Sequence, residues 1–357
     1  MRDRNSGQNL LVWDVGEQGL LRRLQSFCPA ELVGDDGAVL TPSPGRSLIV
    51  TSDVLVDGVH FSDRTTRPED AGWRAVAANL SDLAAMGASP LGITVGLAVP
   101  GTVPVTWIER LYQGMVDCLQ TYGTAIVGGD VVRSPVTTVA ITAFGEADPT
   151  RIIRRSAARP GDAILVTGIH GASRAGLELL LHPELGQGLE PSDRAALIQS
   201  HQRPNPRLDV LPILWQVWGA GGMSRSTLPS PPFPTPHLAG MDSSDGLADA
   251  IVQICMASGV GARVERSQIP LPPALVAWVG ADKALDWALY GGEDFELVLC
   301  LPLEVAQRLV STLTGATIVG VITAEPGIVL VDADKNHAEM PLSLEQGFQH
   351  FESTFER

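Results

Sequence analysis

Residues 75–87 read AVAANLSDLAAMG and place one acid, Asp82, inside a run of small and apolar residues. The spacing predicts a helix that begins near Pro68 and ends at Gly87. A helix that is apolar on nearly all sides is normally buried. The residues three and four positions from Asp82 include no lysine or arginine, so the helix itself offers no ion pair. Unless Asp82 lies on a solvent-exposed stripe, its carboxylate is protonated, paired from elsewhere in the chain or bound to a metal.

The composition is that of a globular protein with two domains or one large one. The chain has 357 residues, of which 45% are hydrophobic and 18% charged. No apolar run is long enough to span a membrane, and the N-terminal residues lack the pattern of a secretory signal, which predicts a cytoplasmic protein with no membrane partner. A net charge of −15 argues against nucleic acid as a partner, because the two would repel each other.

The four cysteines favour buried free thiols over a zinc site or a disulfide framework. They are far apart in the sequence and form no Cys-x-x-Cys pair: Cys28, Cys118, Cys255 and Cys300.

The order of apolar segments predicts two domains, residues 1–148 and 149–357. The first follows a helix over residues 16–27 with the order β-β-α-β-α-β-β, in which residues 31–40 and 47–61 supply the first two strands. This order is typical of a mixed α+β domain. The second alternates strands and helices in an α/β pattern, with a long helical region over residues 190–218 and a Gly-, Ser- and Pro-rich loop over residues 219–240.

Acids recur at glycine turns and at the ends of apolar segments. The positions are Asp35-Asp36, Asp53, Asp82, Asp130, Asp242 with Asp245, and Glu293-Asp294. One Gly-Asp turn usually only shapes a loop. Many such turns in one chain, with Ser and Thr hydroxyls and no cysteine beside them, are typical of sites for hard cations, Mg²⁺ above all.

Carboxylates around Mg²⁺ indicate phosphoryl transfer, in which a protein mainly positions groups and neutralises charge. The chain has neither the phosphate-binding loop that ends in Gly-Lys-Ser/Thr nor the protein-kinase motifs, and it has only two lysines, Lys283 and Lys335. Arginines must therefore assist the metal, and the best placed are Arg133 and the pair Arg154-Arg155. The glycine turn at residues 168–176 does not have the spacing of a dinucleotide-binding fingerprint.

Seven motifs in order resemble the thiamine-monophosphate kinases. These enzymes share a superfamily with aminoimidazole ribonucleotide synthetase, selenophosphate synthetase and a hydrogenase maturation protein. The resemblance covers residues 31–351, and its motifs are GDDGAVL (34–40), TSDVLVDGVHF (51–61), NLSDLAAMGASP (79–90), GGDVVRSP (128–135), RSAARPGD (155–162), SDGLADA (244–250) and GGEDFEL (291–297), with GFQHF (347–351) after them.

The resemblance implies the two-domain fold of aminoimidazole ribonucleotide synthetase, with an N-terminal mixed sheet and a C-terminal α/β domain. It implies ATP as co-substrate, several Mg²⁺ ions and direct transfer of the γ-phosphoryl group to thiamine monophosphate, which gives thiamine diphosphate. The N-terminal domain is expected to bind ATP and Mg²⁺ and to pair its sheet in a homodimer, and the C-terminal domain to complete the active-site cleft.

Residue roles carry over position by position from the same resemblance. The implied metal ligands are Asp36, Thr51, Ser52, Asp53, Asp82, Asp130, Asp242 and Asp245. The implied ATP-binding residues are Gly129, Asp130, Arg155 and Ser244, and Asp130, Asp245 and Arg155 are the expected catalytic residues. The implied residues for the thiamine end are His60, Glu293 and Phe348.

Elementary chemistry agrees with these roles but leaves plain alternatives. A carboxylate such as Glu293 and an aromatic face such as Phe348 suit a cationic thiazolium. The attacking phosphate oxygen is already anionic near neutral pH and needs no strong base. His60 is otherwise an ordinary histidine at a strand end, Phe348 a C-terminal packing residue, and Asp35 a residue that shapes the turn for Asp36.

Two features depart from the family pattern, and two other functions stay open. Ser243 stands where the family usually has an apolar residue, and the 219–240 loop is longer and richer in proline than usual. One alternative is a sister enzyme that activates a formamide-like oxygen or selenide. Selenide is disfavoured because no cysteine lies in a glycine-rich N-terminal stretch. The other is a nucleotide- or metal-binding protein that keeps the fold without turnover.

Overall fold

The computed structural model describes residues 10–33, 35–220 and 237–347. The described chain forms two compact units. One contains the residues up to Leu83 together with Ala88–Pro149, and the other contains Ala84–Gly87 together with the residues from Thr150 onward.

The N-terminal unit is built on a four-stranded sheet. Its strands are β1 (Ser47–Val56), β2 (Ser89–Val99), β3 (Ile126–Arg133) and β4 (Thr138–Ala147), and its helices are α1 (Val12–Leu24), α2 (Pro68–Ala85) and α3 (Val105–Thr121). The strands lie in the order β1-β4-β2-β3. Both neighbours of β4 run antiparallel to it, whereas β2 and β3 are parallel and are connected through α3, as a parallel pair requires.

Small residues in α2 allow two helix backbones to touch. A Cβ atom on Gly72 would lie 2.0 Å from the Leu111 carbonyl oxygen in α3, and one on Gly114 would lie 1.8 Å from the Glu69 carbonyl oxygen in α2. Neither glycine can be replaced without separating the helices. The composition of residues 75–87 has the same explanation, because Ala75, Ala77 and most of their apolar neighbours in α2 are buried.

Strand β1 has two different faces. Its burial alternates along the strand, so that Thr51 and Asp53 are half-buried on the covered side while Val50, Ser52 and Val54 are exposed on the other.

The strand expected at residues 31–40 is wrong. Among the described residues of this segment, all except Gly34, the chain forms turns, bends and loop. The reason is local, because Asp35, Asp36 and Gly37 are turn-forming residues and the segment lies between Pro29 and Pro42.

The C-terminal unit is an α/β arrangement around a seven-stranded mixed sheet. Its strands are β5 (Ala163–Val166), β6 (Ala239–Asp242), β7 (Gly261–Glu265), β8 (Leu297–Leu301), β9 (Thr317–Thr323), β10 (Ile328–Val331) and β11 (Met340–Pro341). Its helices are α4 (Ala172–Leu181), α5 (Pro191–Gln202), α6 (Val210–Ala220), α7 (Leu247–Ser258), α8 (Pro273–Val279), α9 (Ala281–Tyr290) and α10 (Leu303–Thr312). The strand order is β11-β10-β7-β9-β5-β8-β6.

The central strands of this sheet are buried on both faces. Val298 and Cys300 of β8 pack into one apolar cluster together with Ile251 of α7, whereas Leu299 packs into a second cluster together with Leu214 of α6. Burial on both faces explains why residues 297–301 read LVLCL without a polar residue.

The helical region expected over residues 190–218 consists of two helices, α5 and α6. Pro204 and Pro206 lie between them, and a proline inside a helix removes a backbone hydrogen bond and clashes with the preceding turn. Within the described residues, no helix is both long and apolar enough to cross a membrane.

Candidate active site

In the N-terminal unit, α2 and β1 meet through polar side chains. The Thr51 hydroxyl donates a short hydrogen bond to the Asp82 carboxylate. The Asp53 backbone N–H donates to Asn79 Oδ1 at 3.2 Å, and Asn79 is fully buried one turn before Asp82 in α2. Three of the predicted metal ligands, Thr51, Asp53 and Asp82, therefore lie at the same contact between a helix and a strand.

Ser52 is not part of this contact. Its hydroxyl donates to the Ile141 carbonyl oxygen of β4 at 2.8 Å, and its side chain lies on the exposed side of β1. The side chain of Ser52 is thus separated from those of Thr51 and Asp53, as the alternation along a strand requires.

A cavity of about 430 Å³ brings Asp36 together with Gly128, Gly129 and Asp130, which lie within strand β3 and not in the glycine turn expected from the sequence. Its lining also includes apolar side chains, among them Leu24, Leu32 and Ile126, together with Cys28 and Tyr112. The cavity therefore combines carboxylates and glycine backbone with an apolar surface and one aromatic ring. Tyr112 has no sequence motif around it and was not predicted. Burial raises the pKa of its hydroxyl, so the ring stays neutral at physiological pH.

Gly129 is required by the closeness of β3 to β2. A Cβ atom at this position would lie 2.1 Å from the Val95 carbonyl oxygen, far inside van der Waals contact. At Gly128 the nearest atom to such a Cβ, Thr94 Cγ2, would be 3.7 Å away, which is an ordinary contact. Next in the chain, the Asp130 side chain is exposed, and its Oδ1 accepts from the Val131 N–H at 2.8 Å.

His60 lies in a tight turn directly after β1. Its backbone N–H donates to the Val56 carbonyl oxygen at 2.9 Å, and its Nδ1 accepts from the Val56 N–H at 3.1 Å. Because Nδ1 accepts a hydrogen bond, the proton of the neutral ring is on Nε2. The turn fixes both the orientation and the tautomer of this side chain.

In the C-terminal unit, the predicted residues Asp242, Ser244 and Asp245 form the turn between β6 and α7. The Ser244 hydroxyl donates to Asp242 Oδ1 at 3.1 Å, and Asp242 is buried. The backbone N–H of Glu293 donates to the Ser244 carbonyl oxygen at 2.6 Å, so the residues 291–296 run directly against this turn.

The unusual Ser243 is accommodated by a polar pocket. Its hydroxyl accepts from the Glu296 N–H at 3.2 Å and lies 3.2 Å from His170 Nε2. Ser243 and His170 are both fully buried, and burial lowers the pKa of His170 to about 4, so the imidazole is neutral near pH 7. The serine is thus fully hydrogen-bonded beneath Asp242, where the family usually has an apolar side chain.

Arg155 reaches α7 through two residues that were not predicted. Its Nη1 donates to Gln253 Oε1 at 2.6 Å, and Gln253 Nε2 donates to Asp249 Oδ2 at 2.6 Å. Burial raises the pKa of Asp249, the bond from Gln253 opposes this, and the charge of Asp245 raises it further. The four-residue spacing of Asp249 and Gln253 would have revealed this pair, because such residues share one face of a helix, here α7.

The 291–296 loop has a strained backbone. Glu293 and Phe295 have φ values of 59° and 53°, in the left-handed region that residues with a Cβ rarely adopt. Gly292, with φ of 68°, precedes them, and a Cβ on it would lie 2.8 Å from the Ser244 carbonyl oxygen. The strained conformation is retained because the Glu293 N–H is bonded to Ser244 and the side chains of Asp294 and Glu296, which follow it, are held in place.

Asp294 and Glu296 anchor this loop to different elements. Asp294 accepts from the backbone N–H groups of Gly171 and Ser173 at 2.7 and 2.9 Å, at the start of α4, where a helix has unsatisfied donors. Burial raises the pKa of Asp294 to about 7, although both N–H groups oppose this shift. Glu296 accepts from the Thr167 hydroxyl at 2.5 Å and forms an ion pair with the buried Arg207.

Phe348 lies outside the described residues, and so does most of the 219–240 loop. Gly347, the residue before Phe348, lies beside the turn between β6 and α7, because a Cβ atom on Gly347 would be 3.6 Å from the Asp245 carbonyl oxygen.

The donor set fits Mg²⁺ in its chemistry. The predicted ligands are carboxylates and hydroxyls, which are the oxygen donors that this ion prefers. In the part of the chain that the structure describes, no three His, Cys, Asp or Glu side chains form a group that could hold a metal ion. Mg²⁺ in phosphoryl-transfer sites is usually bound by one or two carboxylates together with phosphate oxygens of the substrate, so it does not need such a cage.

Residues 34–147 match the family described as AIR synthase related protein, N-terminal domain, and residues 236–333 match its C-terminal domain. The thiamine-monophosphate kinase of Synechococcus elongatus is 50% identical over 95% of this chain and 97% of its own length. That of Escherichia coli K12 is 33% identical over 89% of this chain and 91% of its own length. The chain belongs to the thiamine-monophosphate kinase family.

Solved structures agree with this membership. The structure described as AaThiL complexed with AMPPCP and TMP has a TM-score of 0.68 and 30% identity, and the match covers 90% of this chain and 95% of that one. A hydrogenase maturation protein, HypE, has a TM-score of 0.67 at 18% identity over 91% of this chain and 97% of its own, which is a likeness of fold alone. The two-domain fold of the aminoimidazole ribonucleotide synthetase type is thereby confirmed.

Proposed function

We propose that this kinase transfers the γ-phosphoryl group of ATP directly to thiamine monophosphate, assisted by Mg²⁺ bound to carboxylate and hydroxyl oxygens. Its family membership makes it an ATP-dependent kinase that phosphorylates thiamine monophosphate. The observation that carries the proposal is the grouping of predicted residues into sets with complementary chemistry: donors at the α2–β1 contact, the cavity beside Asp130, and the turn after β6.

The cavity in the N-terminal unit suits a nucleotide. Its apolar residues, with Tyr112, offer a surface on which a purine base packs favourably, and the same lining includes Gly128, Gly129 and Asp130. Gly128 and Gly129 carry no side chains, so phosphate oxygens can reach the backbone of β3 at these positions.

Several residues would hold Mg²⁺ in the complex with nucleotide. They are Asp36, Thr51, Ser52, Asp53, Asp82, Asp130, Asp242 and Asp245. When bound, the ion neutralises phosphate oxygens and lets two anionic substrates approach each other. Of this set, Ser52 has the weakest support, because its side chain lies on the exposed face of β1.

In the C-terminal unit, Arg155 and Ser244 serve the phosphates and Glu293 serves the acceptor. The hydrogen bond to Gln253 restrains the Arg155 guanidinium, so less rotamer entropy is lost when it pairs with a phosphate. Glu293 has a partly exposed carboxylate, 34% of the side chain being accessible, which suits electrostatic contact with a thiazolium cation. His60 and Phe348 complete the proposed contacts with the thiamine end.

The transfer itself needs no protein nucleophile. A phosphate oxygen of thiamine monophosphate attacks the γ-phosphorus, the bond from this phosphorus to the oxygen bridging to the β-phosphate breaks, and ADP leaves with that electron pair. The oxygen is anionic near neutral pH, so the protein contributes orientation and charge neutralisation rather than a general base.

We further propose a homodimer formed through the open face of the N-terminal sheet. Leu48, Val50 and Val54 of β1 are 50%, 54% and 47% exposed, and alternation places them on one face of the strand. Exposed large apolar side chains that share one face of a sheet are typical of an interface between proteins.

The compartment proposed is the cytoplasm. None of the four cysteines is in a disulfide bond, as is usual in a reducing compartment, and ATP is the co-substrate.

The decisive experiment is to incubate the purified protein with ATP, MgCl₂ and thiamine monophosphate and to follow thiamine diphosphate by chromatography. Product must require both substrates and disappear with EDTA, and unphosphorylated thiamine is the control acceptor. Asp130→Asn, with correct folding verified by circular dichroism, is expected to abolish turnover. Product formation at the normal rate in EDTA would refute the role of Mg²⁺.

A further inference from the structure

We propose that His201 is a positioning residue that sets the orientation of the Glu293 carboxylate toward the acceptor substrate. The inference rests on the proposed function, in which Glu293 contacts the thiamine end. His201 belongs to α5, far from any motif of the family, and was not singled out by the sequence.

The geometry places His201 directly behind Glu293. Its Nδ1 lies 3.5 Å from Glu293 Oε2, and only 2% of its side chain is exposed, against 34% for Glu293. The same nitrogen lies 3.2 Å from the hydroxyl of Ser173, which is also buried. One edge of the Glu293 carboxylate thus faces a buried imidazole, while part of the side chain remains accessible to a ligand.

The fold explains how this histidine reaches the loop. A Cβ atom on Gly176 of α4 would lie 2.1 Å from the Leu197 carbonyl oxygen of α5 and 3.0 Å from His201 Cβ. This glycine therefore lets α5 pack against α4 at backbone distance. As a result, His201 lies beside Ser173, whose own N–H holds Asp294, the neighbour of Glu293.

The backbone of Glu293 makes such support necessary. Its φ of 59° is unfavourable for a residue with a Cβ and persists only where the surroundings enforce it. The backbone N–H of Glu293 is fixed to the Ser244 carbonyl oxygen and Asp294 is fixed to α4. The main chain at Glu293 is therefore anchored, and His201 contacts the carboxylate itself.

A positioning role predicts a selective kinetic effect. Removing the imidazole releases the carboxylate into several rotamers, so the KM for thiamine monophosphate rises while the KM for ATP does not. In His201→Leu the KM for thiamine monophosphate is expected to rise about 5- to 30-fold, a fold-change typical of one lost orienting contact. His201→Asn places an amide nitrogen close to the position of Nδ1 and is expected to recover most of the loss.

The test combines these variants with Glu293→Gln and with a matched control. His182 also lies 3.5 Å from a carboxylate, that of Glu184, but this pair is exposed at the end of α4, so His182→Asn should leave both KM values unchanged. Each variant is first compared with the parent protein by thermal melting. If His201 acts through Glu293, then His201→Leu combined with Glu293→Gln will be no worse than Glu293→Gln alone.

The outcomes separate the two proposals. Parallel increases in both KM values, additive effects in the double variant, or no recovery in His201→Asn would overturn the positioning role. Should His201→Leu fail to fold, the comparison of His201→Asn with His201→Gln decides, since only the asparagine keeps a donor near Nδ1. Failure of the proposed function is seen elsewhere: the parent protein forms no thiamine diphosphate, or Glu293→Gln leaves the KM for thiamine monophosphate unchanged.

Discussion

Replacing Gly129 by alanine tests the geometry at the centre of the proposed nucleotide site. The new Cβ would lie 2.1 Å from the Val95 carbonyl oxygen, whereas ordinary contact begins near 3.4 Å, so β3 must move away from β2 by roughly 1 Å. Both contacting groups belong to backbone that is held in the sheet, so no flexible side chain can absorb the displacement.

The expected loss of stability follows from that movement. Overpacking in a rigid site costs about 1–3 kcal/mol, and each strand hydrogen bond that is stretched beyond its normal range costs about 0.5–1.5 kcal/mol more. Together these effects predict a destabilisation of about 2–4 kcal/mol, which lowers the melting temperature of a unit of this size by roughly 4–16 °C. The displacement also moves Asp130, so the KM for ATP is expected to rise.

Gly128→Ala is the matched control for stability. It adds the same methyl group one residue earlier in the same strand, where the nearest atom, Thr94 Cγ2, is 3.7 Å away. Thermal melting followed by circular dichroism, and hydrogen exchange of the β2 and β3 amides, will compare the two variants. Equal melting temperatures for Gly129→Ala and Gly128→Ala would refute the reasoning, because the predicted difference arises only from the contact with Val95.

Three further predictions concern the metal site, pH and assembly. Asp82→Asn is expected to reduce turnover at least about 100-fold in MgCl₂ with little change in melting temperature. Asp57→Asn, at an exposed position, should retain activity. Equal activity of the two variants in the thiamine diphosphate assay would contradict the metal role. The pKa of Asp294 is raised from 3.8 to about 7, so the folded state binds a proton at this group more tightly than the unfolded state does. Proton binding therefore stabilises the folded state. The stabilisation is complete below about pH 4 and is lost as the pH rises toward 7. Urea unfolding between pH 4.5 and 7.5 should therefore show a decrease of up to about 1.4 kcal/mol per pH unit from this group, and Asp294→Asn should flatten it; an unchanged slope in the variant would rule out Asp294 as its source. Val50→Glu should convert the dimer to a monomer, as measured by the molecular mass from light scattering. Val310→Glu, on an exposed face of α10, should leave the dimer intact. A parent protein that is already monomeric would disprove the dimer.

The sequence predicts elements well where local signals agree. Pro68 begins α2 and the helix ends just before Gly87, and the β-branched residues around Thr51 predict β1. The sequence analysis grouped Ser52 with Thr51 as a metal ligand, whereas the alternation of the strand puts the two side chains on opposite faces. The strand expected at residues 31–40 is wrong because apolar residues around Asp35 and Asp36 suggested an extended segment, while turn-forming residues determine its conformation.

The site was only partly accessible to sequence reasoning, because much of it depends on contacts between distant segments. Nothing near Asp36 in the sequence shows that it shares a cavity with Asp130 and Tyr112. Likewise, the support of Glu293 by His201 depends on how closely α5 packs on α4. Asp249 and Gln253 are different, since their spacing was readable: Asp249 lies inside the motif SDGLADA, and Gln253 follows one turn later in α7.

The two faces of β1 limit how this strand can change by insertion or deletion. Val50 and Val54 belong to the face proposed for assembly, while Thr51 and Asp53 belong to the face that meets Asp82. Adding one residue between them would exchange the faces of every residue that follows. Catalysis and assembly would then fail together, whereas substitutions on one face leave the other in place. We therefore expect the length of this strand to tolerate far less variation than its individual side chains.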